Sequence, residues 1–259
     1  MLVLLQHMTD KQAINQAFQE DGYAVCRGVL SADEVAEVLR HVERYITDVA
    51  PHRPSEEIFY EDKADASSLK QIQQLWQHDT FFERLMTRGI FHQLAELVLG
   101  GDVVPKNLQY FNKAAGVGQA TPPHQDGYYF MLDPCEAITM WLALDEVDEE
   151  NGCVRYVQGS HRHGMREHAA TSTLGFSQGI VGYPTASDTA NEVALPASPG
   201  DLLIHDAKTI HRADGNRSQT RSRRALGFIY YSARAREDAT AYQAYQEALA
   251  ERMKAAGKI

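Results

Sequence analysis

The sequence predicts a mainly β fold with flanking helices: a double-stranded β-helix, or jelly roll, of the cupin-like barrel type. Three observations carry this. From Val103 onward the chain breaks into at least seven short β-like runs bounded by Gly, Pro, Asn and Asp. The turn signals ENG at 150–152 and SPGD at 198–201 fall between such runs, as a jelly roll requires. Residues 8–100, in contrast, carry mostly helical periodicity.

Taken in order, Asp10 to Glu20 has helical spacing, and DGYAVCRGVL then alternates like a short strand. Ser31 followed by Glu34 makes a capping box that opens a helix to about Val49, ended by Pro51 and Pro54. An acidic stretch from Ser55 to Ser68 and the run LKQIQQLW lead to a second helical segment, Asp79 to Leu99, closed by Gly100-Gly101. The β-like runs are VVPKNLQYFNK, HQDGYYFML, AITMWLALDEV, CVRYVQGS, DLLIHDA, IHRADGN and RALGFIYYSA. A helix over 237–256 finishes the chain. With 259 residues and no repeat or Pro/Ser-rich linker, one domain over 8–259 is expected: a helical part at 8–100, then a jelly-roll core at 103–232, then the last helix. An amphipathic start begins at Met8, so residues 1–7 read as an upstream extension with no part in the fold. The segment from His163 to Pro199 is rich in Gly and Pro and poor in periodicity, which suits a loop over the barrel mouth that could act as a lid.

The net charge of −10 argues against nucleic acid or an anionic membrane surface as a partner. The opening MLVLL is too short for a signal peptide or a membrane span. Cys26, Cys135 and Cys153 are scattered and odd in number, as thiols in a reducing compartment would be, so a cytoplasmic protein without disulfides is expected. Its partner is then a small-molecule substrate, and nothing in the sequence fixes an oligomeric state.

The chemistry gathers on TPPHQDGYYF at 121–130. On a strand, residues i and i+2 share a face, so His124 and Asp126 project together and Gln125 points away. One imidazole and one carboxylate form two-thirds of the facial triad that suits mononuclear non-haem iron(II), and the second histidine must come from elsewhere. A lone HxD is a weak signal. Downstream, a turn and a strand precede His211 in SPGDLLIHDAKTIHRADGNRSQTRSRRALGFIYY.

With PHQD at 123–126, the tryptophan strand at 138–144, ENGC at 150–153, GSH at 159–161 and RRAL after His211, the chain resembles the phytanoyl-CoA dioxygenase family from about Asp21 to Tyr231. The resemblance implies an oxygenase that uses Fe(II), 2-oxoglutarate and O2 to hydroxylate a small organic molecule, releasing succinate and CO2. It implies that His124, Asp126 and His211 hold the iron and that an arginine binds the distal carboxylate of 2-oxoglutarate, which a guanidinium fork matches in two parallel hydrogen bonds. Among Arg221, Arg223 and Arg224, alignment on RRAL selects Arg223, twelve residues after His211 where the family usually has eleven. Trp141, Lys70 and Gln109 are carried over in the same way to the cosubstrate. Ala213 departs from the pattern: many relatives have a serine two residues after the second histidine, and Thr209 and Thr139 are the candidates to supply that hydroxyl. An aspartate at 126, where related halogenating enzymes have a small residue, favours hydroxylation. A degenerate relative that only binds metal or 2-oxoglutarate is the alternative.

A rival metal reading uses GSHRHGMRE, in which His161, His163 and Glu167 have the spacing of a cupin isomerase or hydrolase, although no later strand completes the set. Otherwise His161 bonds the rim backbone, His163 and His168 lie in solvent, and His205 packs in the core. In the run Tyr128, Tyr129, Phe130, Met131, strand alternation would turn every other side chain toward a substrate pocket.

Overall fold

The computed structural model describes residues 2–171 and 178–255. Helix α1 spans Leu2–Asp21, so the backbone of 2–7 continues its first turns, while the side chains of 2–10 lie outside what is described. There follow β1 (Tyr23–Cys26), α2 (Ala32–Arg44), β2 (Ile58–Tyr60), β3 (Leu69–Ile72), α3 (Thr80–Thr87), α4 (Gly89–Leu99) and β4 (Val103–Lys113). Next come β5 (Thr121–His124), α5 (Gly127–Phe130), β6 (Leu132–Asp133), β7 (Ala137–Ala143), β8 (Val154–Val157), β9 (His168–Ala170) and β10 (Gln178–Ile180). Then α6 (Ala186–Asn191), β11 (Glu192–Leu195), β12 (Leu202–Asp206), β13 (His211–Ala213), β14 (Arg223–Ser232), β15 (Arg236–Glu237) and α7 (Ala239–Ala255) complete the chain.

Local chemistry sets several boundaries. At Ser31 the hydroxyl accepts from the Glu34 N–H while the Glu34 carboxylate takes the Ser31 N–H, which opens α2 as expected. Gly100 adopts φ +69° and closes α4. The expected helix from Asp79 to Leu99 is two helices, because Arg88 is extended and breaks it. LKQI forms β3 and adds to the main sheet.

Two antiparallel sheets face each other without closing into a barrel. The larger has seven strands in the order β1-β12-β7-β14-β4-β3-β2, and the smaller has four, β11-β8-β13-β5. Strand alternation divides the larger sheet cleanly. Ile138, Met140, Leu142, Leu226, Phe228 and Tyr230 pack outward against α2, α3 and α4 in the main core. Trp141, Ala143, Leu203 and Ala225 turn inward and meet Val154 and Tyr156 of the smaller sheet. Buried apolar faces on both sides of the larger sheet make it a rigid support for whatever projects between the sheets. The turn at 198–201 is held closely: Gly200 has φ +92°, and a Cβ there would lie 2.2 Å from the Leu30 carbonyl oxygen. All three cysteines are free.

The segment 163–199 is not an unpatterned loop. Its described residues form the β9–β10 hairpin, α6 and the edge strand β11, which pairs with β8. None of them lines the interior cavity, and residues 172–177 lie outside the described structure. The chain segment that reaches the cavity instead is α7, through Tyr242 and Tyr245.

Candidate metal centre

His124 and His211 are Cα partners on β5 and β13, so antiparallel pairing alone brings their rings to 4.1 Å between centroids. Asp126 joins them by a route that strand periodicity did not foresee. The strand ends at His124, and Asp126 takes a helical conformation (φ −60°, ψ −34°) as the first residue of a tight turn into α5. Its Oδ1 lies 3.3 Å from His124 Nε2 and 3.7 Å from His211 Nε2. The three ligand atoms fall within 4.8 Å of one another. This turn also overturns the alternation expected for the aromatic run: Tyr129 and Phe130, neighbours in sequence, both line the cavity, while Tyr128 stacks on His168.

The donor set is prepared for a cation. The Nδ1 atoms of His124 and His211 bond the carbonyls of Pro122 (2.8 Å) and Thr209 (3.0 Å), which fixes the tautomers and turns both Nε2 lone pairs inward. Burial pushes His211 well below the ordinary histidine value, and His124 and His205 add to the effect, so its imidazole is neutral. Burial opposes ionisation of Asp126, yet the carboxyl is held well below its usual range, with the hydrogen bond from His205 Nε2 to Oδ2 among the causes. Two lone pairs and a carboxylate oxygen converge on one point, an arrangement that repels itself unless a positive ion sits there. These residues fit a divalent metal.

The other carboxylate oxygen is spoken for. Thr139 Oγ1 donates to Asp126 Oδ2 at 2.5 Å and His205 Nε2 at 3.1 Å. His205 Nδ1 in turn meets the Tyr156 hydroxyl at 2.8 Å. Sequence reasoning assigned His205 to packing. The signal that could have found it was its parity with the inward-facing Leu203 on DLLIHDA. Gln125 is buried as well: it donates to the carbonyls of Gly164 and Lys208, accepts from the Arg166 N–H, and gives its own N–H to His168 Nε2. His168 is therefore buried, not solvent-exposed.

Beside the metal ligands lies a cavity of about 740 Å³, within the size range of small-molecule sites. Arg223, Trp141, Lys70 and Gln109 all line it. Arg223 is 5 % exposed, its guanidinium carbon stands 5.1 Å from the Trp141 ring centroid, and its Nε has no hydrogen-bond partner among the described residues. Burial lowers Arg223 to about 10, which leaves it charged at neutral pH. A buried, charged donor fork without an acceptor fits an anionic ligand. Its two neighbours are engaged elsewhere: Arg221 pairs with Asp148 and Glu150, and Arg224 makes a fork with Asp145. Lys70 sits on a strand, buried, with Nζ 3.1 Å from Glu61. Gln109 accepts from Gln71 at 2.5 Å.

Neither hydroxyl expected to replace the serine at 213 is available. Thr209 donates to the Gly22 carbonyl and does not line the cavity, and Thr139 is engaged with Asp126. The rival metal set does not assemble: His161 bonds the Gln19 carbonyl at the end of α1, and His163 and Glu167 are exposed.

Comparison with known proteins places the chain in a family. The family model for phytanoyl-CoA dioxygenase (PhyH) matches residues 18–225, and the chain belongs to that family. It is 27% identical over 220 residues to a 1-deoxypentalenic acid 11-beta-hydroxylase of Streptomyces exfoliatus, covering 81% of this chain and 76% of the relative. It is 25% identical to the phytanoyl-CoA dioxygenase domain-containing protein 1 of Bos taurus, covering 82% and 87%. Among solved structures, the epimerase SnoN in complex with Fe3+, alpha ketoglutarate and nogalamycin RO superposes with a TM-score of 0.69 at 24% identity, over 88% of this chain and 86% of that one. EctD from S. alaskensis with 2-oxoglutarate and 5-hydroxyectoine gives 0.70 at 21%, over 86% and 77%. Among the described residues no helix is long and apolar enough to cross a membrane.

Proposed function

We propose that the chain is an Fe(II)- and 2-oxoglutarate-dependent dioxygenase that hydroxylates a small organic molecule. The observation that carries this is the pairing of a two-histidine, one-carboxylate cluster with a buried, unpartnered Arg223 on one cavity wall. When bound, iron and 2-oxoglutarate together supply the oxygen-activating chemistry that oxidises a C–H bond, with succinate and CO2 released.

The protein's own part is to bind, orient and shield. His124, Asp126 and His211 would hold the metal, which would leave room on it for the cosubstrate. Thr139 and His205 take up Asp126 Oδ2 and leave Oδ1 for the ion. Arg223 anchors the distal carboxylate of the cosubstrate, with Trp141 as the wall against which the guanidinium lies. Lys70 and Gln109 act on the same ligand from β3 and β4.

Other parts of the lining, including Gln73, Gln74, Asn107, Tyr129, Tyr242 and Tyr245, offer hydrogen bonds and ring faces. Lys106, also in the lining, is paired with Glu237 at 3.3 Å and lies over the Tyr231 ring. Amides and phenol rings of this kind suit an organic substrate that offers both hydrogen-bonding groups and apolar surface.

The test is anaerobic addition of iron(II) and 2-oxoglutarate. A weak visible charge-transfer band is expected in the wild type and not in His124→Ala. No band in the wild type, or an unchanged band in the variant, would contradict the proposal. A screen for succinate release over candidate small molecules then identifies the substrate.

A further inference from the structure

Two basic side chains stand side by side in the cavity wall. Arg223 on β14 and Lys113 on β4 are Cα partners in the larger sheet, are 5 % and 4 % exposed, and both line the cavity. Directly opposed residues of an antiparallel pair share a face with their Cβ atoms about 5 Å apart, and like charges there are unfavourable. Among the described residues neither makes an ion pair, and the nearby carboxylate of Glu61 is on Lys70. Burial drives Lys113 well below an ordinary lysine, Arg223 and Lys70 push the same way, and Glu61 and Asp214 offset this in part.

The backbone is built around this lysine. A Cβ on Gly118 would lie 2.7 Å from Lys113 Cβ, and one on Gly152, at φ +88°, would lie 3.2 Å from its Cδ. So guided, Nζ donates to the Gln119 carbonyl and lies 3.3 Å from Thr121 Oγ1. In its protonated form the side chain has three donors, so one is left over for an anion, and a threonine that accepts from lysine keeps its own O–H to donate. Thr121 is also the register partner of Ala213, the position at which a hydroxyl is missing. The absent hydroxyl thus reappears one strand over, next to a cation.

Building on the proposed use of 2-oxoglutarate, we propose that Lys113 and Thr121 complete, with Arg223, the clamp on the cosubstrate's distal carboxylate, in place of the hydrogen bond that alanine at 213 cannot make. The carboxylate offsets the charge of Arg223, favours the protonated form of Lys113, and accepts from Arg223, from the spare Lys113 N–H and from the Thr121 hydroxyl.

The test compares 2-oxoglutarate with 2-oxopentanoate, which has the same chelating end and chain length but no distal carboxylate. Each is titrated anaerobically into the intact Fe(II)-loaded protein, with affinity read from the chelate absorption and tryptophan fluorescence. Lys113→Met and the nearly isosteric Thr121→Val are each expected to weaken 2-oxoglutarate binding about tenfold or more, the scale of a hydrogen bond to a charged group. Both should leave 2-oxopentanoate within about twofold, since a bond that is not made cannot be lost. Equal losses for the two ligands would assign Lys113 to holding up the 119–121 backbone and overturn the clamp, as would no loss in either variant. A wild type that binds neither ligand would refute the use of 2-oxoglutarate itself, a distinct result.

Discussion

His205 Nε2 lies 3.1 Å from Asp126 Oδ2, and its other nitrogen is 2.8 Å from the hydroxyl of Tyr156. The chain Tyr156–His205–Asp126 fixes which carboxylate oxygen faces the two ligand histidines. Burial keeps Tyr156 well above the ordinary tyrosine value, so its hydroxyl remains a donor and His205 Nδ1 an acceptor. His205 Nε2–H is thereby committed to the carboxylate. Replacing His205 by Ala should weaken Fe(II) or Mn(II) binding by about 10- to 100-fold, the usual scale for a residue that orients a metal ligand. Tyr156→Phe should act in the same direction and more weakly. Competitive titration against a chromophoric chelator measures both. Unchanged affinity in His205→Ala would assign the orientation of Asp126 to Thr139 alone.

The three arginines near the start of β14 should separate by function. Arg223→Ala is expected to reduce 2-oxoglutarate affinity by about 10-fold or more, and Arg223→Lys should recover only part of it, because an ammonium lacks the planar fork. Arg221→Ala and Arg224→Ala should leave affinity within about twofold, because their partners Asp148, Glu150 and Asp145 lie away from the cavity. Arg224→Ala should instead lower the melting temperature, having broken a half-buried fork. Isothermal titration and thermal melts on the same preparations distinguish the outcomes.

What the sequence disclosed about this site follows from what strand periodicity can carry. His124 and His211 belong to paired strands, and Trp141 and Arg223 face inward by simple alternation, so linear spacing was an adequate guide to each. Asp126 arrives through a helical turn, which spacing of two cannot distinguish from a continued strand. Lys113 and His205 were missed for a different reason: alternation can at most turn them inward, whereas their roles depend on a register partner 110 positions away, Arg223, and a hydrogen-bond partner 79 positions away, Asp126. The segment 163–199 misled because its strands are three or four residues long, shorter than the runs over which alternation becomes visible.

The contact between the helical layer and the larger sheet rests on Phe228, fully buried on β14 and stacked on Phe91 of α4 with ring centroids 4.3 Å apart. Phe228→Ala leaves a cavity between two rigid layers that cannot collapse into it, and should cost about 3–5 kcal/mol. Phe228→Leu keeps most of the volume and should cost about half of that or less. Urea unfolding gives both values. A loss under about 1 kcal/mol for the alanine variant would mean that α4 resettles onto the sheet.

Acid sensitivity should trace in part to Asp201, which ties the start of β12 to the segment after β1. Burial alone would raise its pKa, but Arg27 and the backbone N–H groups of Ser198 and Gly28 outweigh burial and lower it. The contacts are 2.7, 2.9 and 2.8 Å respectively. A carboxyl whose folded value lies below its unfolded value, near 3.9, stabilises the fold at any pH above the unfolded value. That contribution disappears as pH falls through the folded value. Because Arg27 is 56% exposed and screened by solvent, the two N–H bonds carry most of the effect. Asp201→Asn retains the shape and removes the charge, and should cost about 1–3 kcal/mol at pH 7. The gap between wild type and variant should narrow as pH drops below about 4, since the protonated aspartic acid then resembles the amide. Urea midpoints measured from pH 7 down to about pH 3 test this, and a gap that stayed constant would assign the loss to altered hydrogen-bond geometry instead of charge.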